Sequence, residues 1–392
     1  MRKAFVSLVA ATLIGFCCSL SVVADDSRWG QPIVEAVPTP SPPSIGSPSF
    51  ILVDIKSGNI IAKRDPHEQW EPASLAKMMT AYVVFRELSA GHIDLEDRVT
   101  ISERAWRSQG SRMFVEVGEQ VSVKKLLQGL IIQSGNDAAV ALAEHVAGDE
   151  DTFAQVMNQE AQRLGMENTQ YANSTGMPNA EMYTTAFDTA RLARAIIEEH
   201  PEFYNWYSQR SFEYAGIVQH NRNRLLWRDE SVDGLKTGYT SSAGYNLTTS
   251  AERAEMRLIS VVLGADSEDA RAQQSHQLLN YGFRFFETHR LYSAQERLSE
   301  ARTWKADKET LELGIAEDLY VTIPRRERDN LSASVRLHDE LIAPITQGEE
   351  IGEVDIVLAG EVIHTEPLIA LNDLEEGGLW RRLVDSLWLR FQ

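Results

Sequence analysis

Apolar positions follow three different rhythms along this chain. Over residues 70–88, Leu75, Met78, Met79, Tyr82, Val83, Val84 and Phe85 leave almost no polar side. That pattern predicts a helix running through a domain core. Its entry falls at Pro72, whose φ is preset for a first turn and which lacks an N–H that would go unpaired there. Ahead of it, residues 50–55 and 59–63 read as two strands around Lys56-Ser57-Gly58-Asn59, a turn rich in residues that tolerate positive φ. A helix-rich middle follows at 121–132, 138–147, 151–164 and 185–200, then a hairpin at 245–250 and 257–263. A helix over 267–288, with Leu278, Leu279, Tyr281, Phe285 and Phe286 inward, closes this first domain. Helices between early and late strands are expected of α and β layers sharing one core.

Beyond residue 290 the period shortens to two. Runs at 319–323, 332–337, 351–358 and 361–369 alternate between turn residues, which predicts a small all-β domain over 290–375, a sandwich. The last rhythm is helical again. Over 376–392, Leu379, Trp380, Leu383, Val384, Leu387, Trp388 and Phe391 share one side, with Arg381, Arg382, Asp385, Ser386 and Arg390 on the other. Two tryptophans, basic residues and a length too short to span describe a helix lying in a membrane interface. The competing reading is a helix docked on its own protein.

Composition adds the compartment. Arg2 and Lys3, an apolar run and Val22-Val23-Ala24 make residues 1–24 a signal peptide. Both cysteines, Cys17 and Cys18, fall inside it, so the processed chain is expected to lack disulfides, thiolate ligands and a cysteine nucleophile. Residues 25–47, with VPTPSPPS, read as a Pro-rich extended linker to a domain spanning 48–289. The net charge of −19 argues against nucleic acid as a partner, because phosphate binding needs clustered Lys and Arg.

Two polar side chains interrupt the apolar helix. Ser74 and Lys77 lie one turn apart on one face, close enough for the amine to reach the hydroxyl. Burial disfavours the charged amine, and a neutral amine beside a hydroxyl is a nucleophile–base pair. Ser-x-x-Lys alone is a weak signal, since Ser122 and Lys125 repeat it at what reads as a surface helix start. The order is more specific: Ser74-x-x-Lys77, then Ser134-Gly135-Asn136, then Lys236-Thr237-Gly238. Ser57-Gly58-Asn59 is a second copy of the middle motif, placed in a hairpin turn. No HExxH or GxSxG occurs, so metalloprotease and Ser-His-Asp readings lack residues.

The ordered triplet resembles the active-site serine penicillin-recognising fold. The stretches EPASLAKMMTAYVV, GLIIQSGNDAAVALAEHVAG, NRNRLLW and VDGLKTG are similar to those of low-molecular-mass D-alanyl-D-alanine carboxypeptidases, with coverage from about Ser49 to Gln392. The resemblance implies an α/β catalytic domain of the β-lactamase/transpeptidase type, 48–289, with the smaller β domain behind it. It implies a serine peptidase that trims D-alanine from peptidoglycan stem peptides, is acylated by β-lactams and needs no cofactor or metal. Ser74 is then the nucleophile, Lys77 its base and Ser134 a proton relay between Lys77 and the leaving amine. Asn136 binds the substrate amide, while Lys236, Thr237 and Gly238 serve its carboxylate, with Arg271 nearby. Backbone N–H groups of Ser74 and Tyr239 form the oxyanion hole by the same resemblance, and Tyr239 stands at a variable position. The expected location is periplasmic, on the outer face of the cytoplasmic membrane.

Three alternatives stay open at this level. A class A β-lactamase needs a Glu-x-x-Leu-Asn setting, and Glu167-Asn168-Thr169-Gln170 does not supply it. D,D-endopeptidase action on cross-links would use the same site. A non-catalytic peptidoglycan-binding scaffold would leave the triplet without a purpose.

Overall fold

The strands expected on either side of the Lys56–Asn59 turn are Ser49–Asp54 and Ile60–Arg64, paired antiparallel. They form one edge of a five-stranded sheet that continues through Met256–Ala265 and Gly244–Arg253 to Val232–Thr240. Every pairing in it is antiparallel. Successive side chains of a strand point to opposite faces, so Ile51 and Val53 enter one core while Phe50 and Leu52 enter another. The first core holds the apolar helix, Ala76–Ser89, with Tyr82, Phe85, Met78 and Met79 fully buried. The second is closed by the helix Glu268–Phe285, capped by Ser267, whose hydroxyl accepts from the Ala270 N–H. With both faces covered, these strands lack the apolar–polar alternation of a solvated sheet. The computed structural model describes residues 29–389; the signal peptide read at 1–24, and Arg390 and Phe391 of the last helix, lie outside the described residues.

Several elements differ from expectation. The apolar helix does not begin as an α-helix at Pro72: Ala73–Leu75 forms a 3-10 turn first, with Ala73 at φ 48°. The stretch expected as one helix over 121–132 is a strand end, a helix Val123–Gln128 and a π-turn Gly129–Gln133. Ser122 there is an N-cap that accepts from the Lys125 N–H, which gives the second Ser-x-x-Lys a purely structural role. The helix expected to reach 288 ends at Phe285, and Phe286–Tyr292 is a strand paired with Leu319–Pro324. Two short antiparallel pairs, Arg98–Thr100 with Gln120–Ser122 and Ser211–Tyr214 with Ile217–His220, were not foreseen.

Among its described residues, 29–47, the Pro-rich stretch has no strand or helix beyond an isolated bridge at Pro32, yet it is tied to the domain. Gly30 donates to the Gly58 carbonyl at 2.9 Å, the Tyr281 hydroxyl donates to the Pro40 carbonyl at 2.8 Å, and Trp29 and Ile45 are buried. A few apolar anchors and free proline carbonyls suffice to hold it along the domain.

The second domain combines that two-stranded pair with a six-stranded sheet around one core that includes Val321, Ile323, Leu313 and Ile356. The Ser57-Gly58-Asn59 turn plugs into it. Ser57 Oγ lies 2.6 Å from Thr322 Oγ1, and Thr288 Oγ1 donates to Asp54 Oδ2 at 2.8 Å. Burial pushes the Asp54 carboxyl above its ordinary range. The terminal helix, Leu379–Trp388, turns its polar side inward: Asp385 accepts from the Lys305 N–H at 2.6 Å. Leu379, Trp380, Leu383, Leu387 and Trp388 face outward, the first two 80% exposed.

Candidate active site

Three elements bring the chemistry together. The 3-10 turn carries Ser74, half-buried, and the first α-helical turn carries Lys77, 1% exposed. Lys77 Nζ lies 3.0 Å from Ser74 Oγ and donates to the Thr175 carbonyl at 2.5 Å. A neutral amine in this position keeps one N–H for that carbonyl and a lone pair for the serine proton. Desolvation lowers Lys77 from 10.5 to about 7, against a smaller upward pull from Asp137 and then Glu150.

The Thr175 carbonyl is itself held in place. Asn173 Oδ1 accepts from the Thr175 and Gly176 N–H groups, and Glu150 accepts from the backbone and hydroxyl of Ser174. Gly176 has φ 79°, and a Cβ there would fall 1.8 Å from the Ala73 carbonyl oxygen. Only glycine lets this loop lie against the backbone that precedes the nucleophile.

The π-turn delivers the second motif. It ends at Ser134 in the left-handed region, φ 66° and ψ 35°, which turns the hydroxyl into the groove as the next helix, Asn136–Ala147, begins. The Ser134 hydroxyl accepts from Lys236 Nζ at 2.7 Å, not from Lys77. Lys236 thus holds the hydroxyl expected from the sequence to bridge Lys77 to the leaving amine. Asn136 donates its side-chain N–H to the Gln109 carbonyl, and its backbone N–H to the Ser111 carbonyl at 2.7 Å. Asp137, fully buried, accepts from the Met113 and Phe114 N–H groups at 2.9 Å each. Both residues fix the 109–115 loop as one wall of the groove.

The third motif lies on the sheet edge strand Val232–Thr240. Lys236 is 2% exposed, and its pKa is pushed well below the usual lysine value by burial, then by the charges of Lys77, Arg222 and Arg271. A Cβ on Gly238 would fall 2.9 Å from the Pro72 carbonyl oxygen, so glycine permits the close approach of strand to helix start. Thr237 is buried beside it, and Tyr239 is exposed, its ring 4.3 Å from that of Tyr245. Arg271, which the resemblance places near the carboxylate pocket, lies close enough to Lys236 for its charge to act there. It is buried, donates to the Gly238 carbonyl at 3.0 Å and pairs with Glu268 at 3.4 Å, supporting the strand from behind. Desolvation brings it down to about 10.

Sequence reasoning missed Arg222, whose guanidinium lies 3.4 Å from Ser111 Oγ and whose charge acts on both Lys236 and Arg271. It also missed Asp137, Glu150 and the Thr175 carbonyl. Adjacency to Asn136 was a usable signal for Asp137; nothing in local spacing marks the other two.

This geometry has known counterparts. Residues 36–267 match the family described as D-alanyl-D-alanine carboxypeptidase, and 286–376 match the C-terminal domain of penicillin-binding protein 5. The chain belongs to the D-alanyl-D-alanine carboxypeptidase family. D-alanyl-D-alanine carboxypeptidase DacC of Escherichia coli is 43% identical over 357 residues, covering 89% of each chain. DacA of Haemophilus influenzae is 40% identical over 377 residues, 95% of this chain and 94% of the other. The solved structure of penicillin-binding protein 5 from Haemophilus influenzae superposes with a TM-score of 0.85 at 41% identity, over 86% of this chain and all of that one. The family membership makes the chain a serine-type carboxypeptidase with a catalytic α/β domain and a C-terminal β domain.

Proposed function

We propose that Ser74 attacks the carbonyl carbon of the penultimate D-alanine of a peptidoglycan stem while Lys77 takes its proton. The reading rests on one observation: Lys77 Nζ stands 3.0 Å from Ser74 Oγ in a setting that brings its pKa to about 7. An amine of ordinary basicity is almost wholly protonated at neutral pH and cannot act as a base. The oxyanion accepts from the N–H groups of Ser74 and Tyr239, as the family resemblance implies. The C–N bond then breaks, and the leaving amine takes the proton that Lys77 received, passed through the Ser134 hydroxyl. Water adds to the resulting ester with Lys77 as base, releasing the shortened peptide and restoring Ser74.

Substrate completes the electrostatics. A terminal carboxylate beside Lys236, Thr237 and Arg222 favours the charged form of Lys236, because an opposite charge stabilises the ammonium. That charge in turn disfavours a second proton on Lys77. It also draws the Lys236 amine toward the carboxylate, leaving the Ser134 hydroxyl to serve the leaving amine. The Asn136 carbonyl oxygen accepts from the substrate's peptide N–H. A β-lactam acylates Ser74 by the same step.

The remaining proposals concern place. The apolar side of the helix Leu379–Trp388 faces away from the protein while Asp385 ties its polar side to the β domain. This favours attachment to a membrane surface over self-docking, and no helix among the described residues is long and apolar enough to cross one. Together with the signal peptide expected from the sequence, it supports a periplasmic enzyme held against the cytoplasmic membrane, with the β domain setting the height of the site. The test is D-alanine release from a diacetylated Lys-D-Ala-D-Ala peptide together with intact mass after penicillin treatment. Wild type should release D-alanine and gain one penicilloyl group, and Ser74→Ala should do neither; activity in Ser74→Ala would overturn the assignment.

A further inference from the structure

Apart from Met1, which lies outside the described residues, the chain's nine methionines are buried at 4% exposure or less, with one exception. Met177 is 42% exposed. A thioether is a soft, polarizable group, and exposure decides which one a small oxidant in water meets first. Both cysteines fall in the segment read as a signal peptide, so no thiol of the processed chain is expected to compete.

The exposed sulfur lies at the site. Met177 belongs to the loop whose Thr175 carbonyl accepts from Lys77. Its backbone is fixed on both sides: its N–H donates to Thr175 Oγ1 at 3.2 Å, and its carbonyl accepts from Asn173 Nδ2 at 3.0 Å. Its side chain crosses to the 109–115 loop. A Cβ on Gly110 would stand 3.9 Å from the Met177 sulfur and 2.9 Å from Asn136 Nδ2. Gly110 has no Cβ, so the sulfur and the Asn136 amide share one small gap. That amide has two N–H donors, and one of them serves the Gln109 carbonyl. The second can serve an acceptor that arises beside it.

We infer that Met177 is a site of reversible oxidation by hydrogen peroxide, and that oxidation there weakens substrate capture through Asn136. The inference rests on the reading of Asn136 given above. The sulfur attacks one peroxide oxygen, the O–O bond breaks, an S=O bond forms and the other oxygen leaves as water. Two electrons pass from sulfur to peroxide. An apolar side chain thereby becomes a polar one whose oxygen accepts hydrogen bonds. With the Met177 backbone held, that oxygen stays in the gap and takes the second Asn136 N–H. The amide is turned away from the pose in which its carbonyl oxygen receives the substrate's peptide N–H. Met177 is thus a positioning residue acting through Asn136. A dithiol reductase reverses the change: its two thiols become a disulfide and the oxygen leaves as water.

The experiment treats the full chain with hydrogen peroxide until its intact mass gains a single oxygen. Peptide mass spectrometry should place that oxygen on Met177. The rate of penicillin acylation and kcat/KM on acyl-D-Ala-D-Ala should each fall about fivefold or more, the scale of one misdirected hydrogen bond. Methionine sulfoxide reductase with a thiol reductant should restore both. Met177→Leu keeps the apolar contact without the sulfur, so it should match untreated wild type and stay active through the same treatment. The pH of half-maximal acylation should not move on oxidation, because the Ser74–Lys77 pair is left as it was. A shifted midpoint would mean that the Thr175 carbonyl had been displaced, and would overturn the route through Asn136. Full activity with the oxygen on Met177 would overturn the proposal, as would an equal loss in treated Met177→Leu or oxidation of another methionine first. Failure of untreated wild type to be acylated would instead refute the assignment of Ser74.

Discussion

Replacing Lys77 by methionine should abolish activity and yet stabilise the fold at acidic pH. The side chain is 1% exposed, and desolvation takes its pKa from 10.5 to about 7. A gap of that size corresponds to about 5 kcal/mol between the two protonation states. From pH 7 to 10.5 the unfolded chain carries a proton at this position and the folded chain does not, so stability rises with pH across that window. Below pH 7 both states are protonated, and the whole cost of the buried charge is present. Methionine has a similar unbranched stem and removes the cost. Against that gain, the Thr175 carbonyl loses its donor, worth about 1–3 kcal/mol. The variant should then be about 2–4 kcal/mol more stable than wild type at pH 6, and no more stable at pH 9.5, where only about one unit of the gap remains. Urea unfolding at the two pH values measures the difference. Equal destabilisation at both would refute the claim that burial, and not some other feature, holds this amine neutral.

Two further outcomes follow from contacts elsewhere. Gly176→Ala should lose most acylation by penicillin and about 3 kcal/mol or more of stability, because its Cβ would overlap the Ala73 carbonyl oxygen and its φ is positive; calorimetry and acylation kinetics report both. Trp380→Ser with Trp388→Ser should weaken partition onto anionic lipid vesicles by about tenfold or more while turnover of soluble peptides is unchanged. Vesicle sedimentation checks this, and undiminished binding would count against an interfacial helix.

The elements legible in the sequence were those set by a local apolar pattern. The first strand and the apolar helix are nearly unbroken apolar runs buried on all sides, the closing helix buries a stripe that repeats every three to four residues, and each stands within a few residues of its expected place. Ser74 and Lys77 were legible for the same reason, since one helical turn brings them together whatever the rest of the chain does. The π-turn before Ser134 was not, because it arises where a helix must stop against packed neighbours, and residues 129–133 are as apolar as any helix. The Glu150–Ser174 contact and the Asp137 bonds to the 113–114 backbone link residues far apart in the chain, which no spacing rule encodes. Arg271 lies where its charge acts on Lys236, and its Nη1 donates to the Gly238 and Asn246 carbonyls, contacts between residues far apart in the chain that no spacing rule encodes either.

The duplicate motifs show how context assigns a role to the same residues. Ser122-x-x-Lys125 opens a helix as a cap, and Ser57-Gly58-Asn59 joins the two domains through Thr322 and Asp54. The copies at 74–77 and 134–136 instead bring a serine hydroxyl against a buried amine.

The pH dependence of penicillin acylation at Ser74, followed by mass spectrometry of the labelled peptide, tests the central claim most directly. A base with pKa near 7 predicts a rate that is half-maximal close to neutrality and falls about tenfold per pH unit below it, with the label on Ser74 alone. A rate that stays flat from pH 5.5 to pH 8, or a label on any other residue, would contradict it.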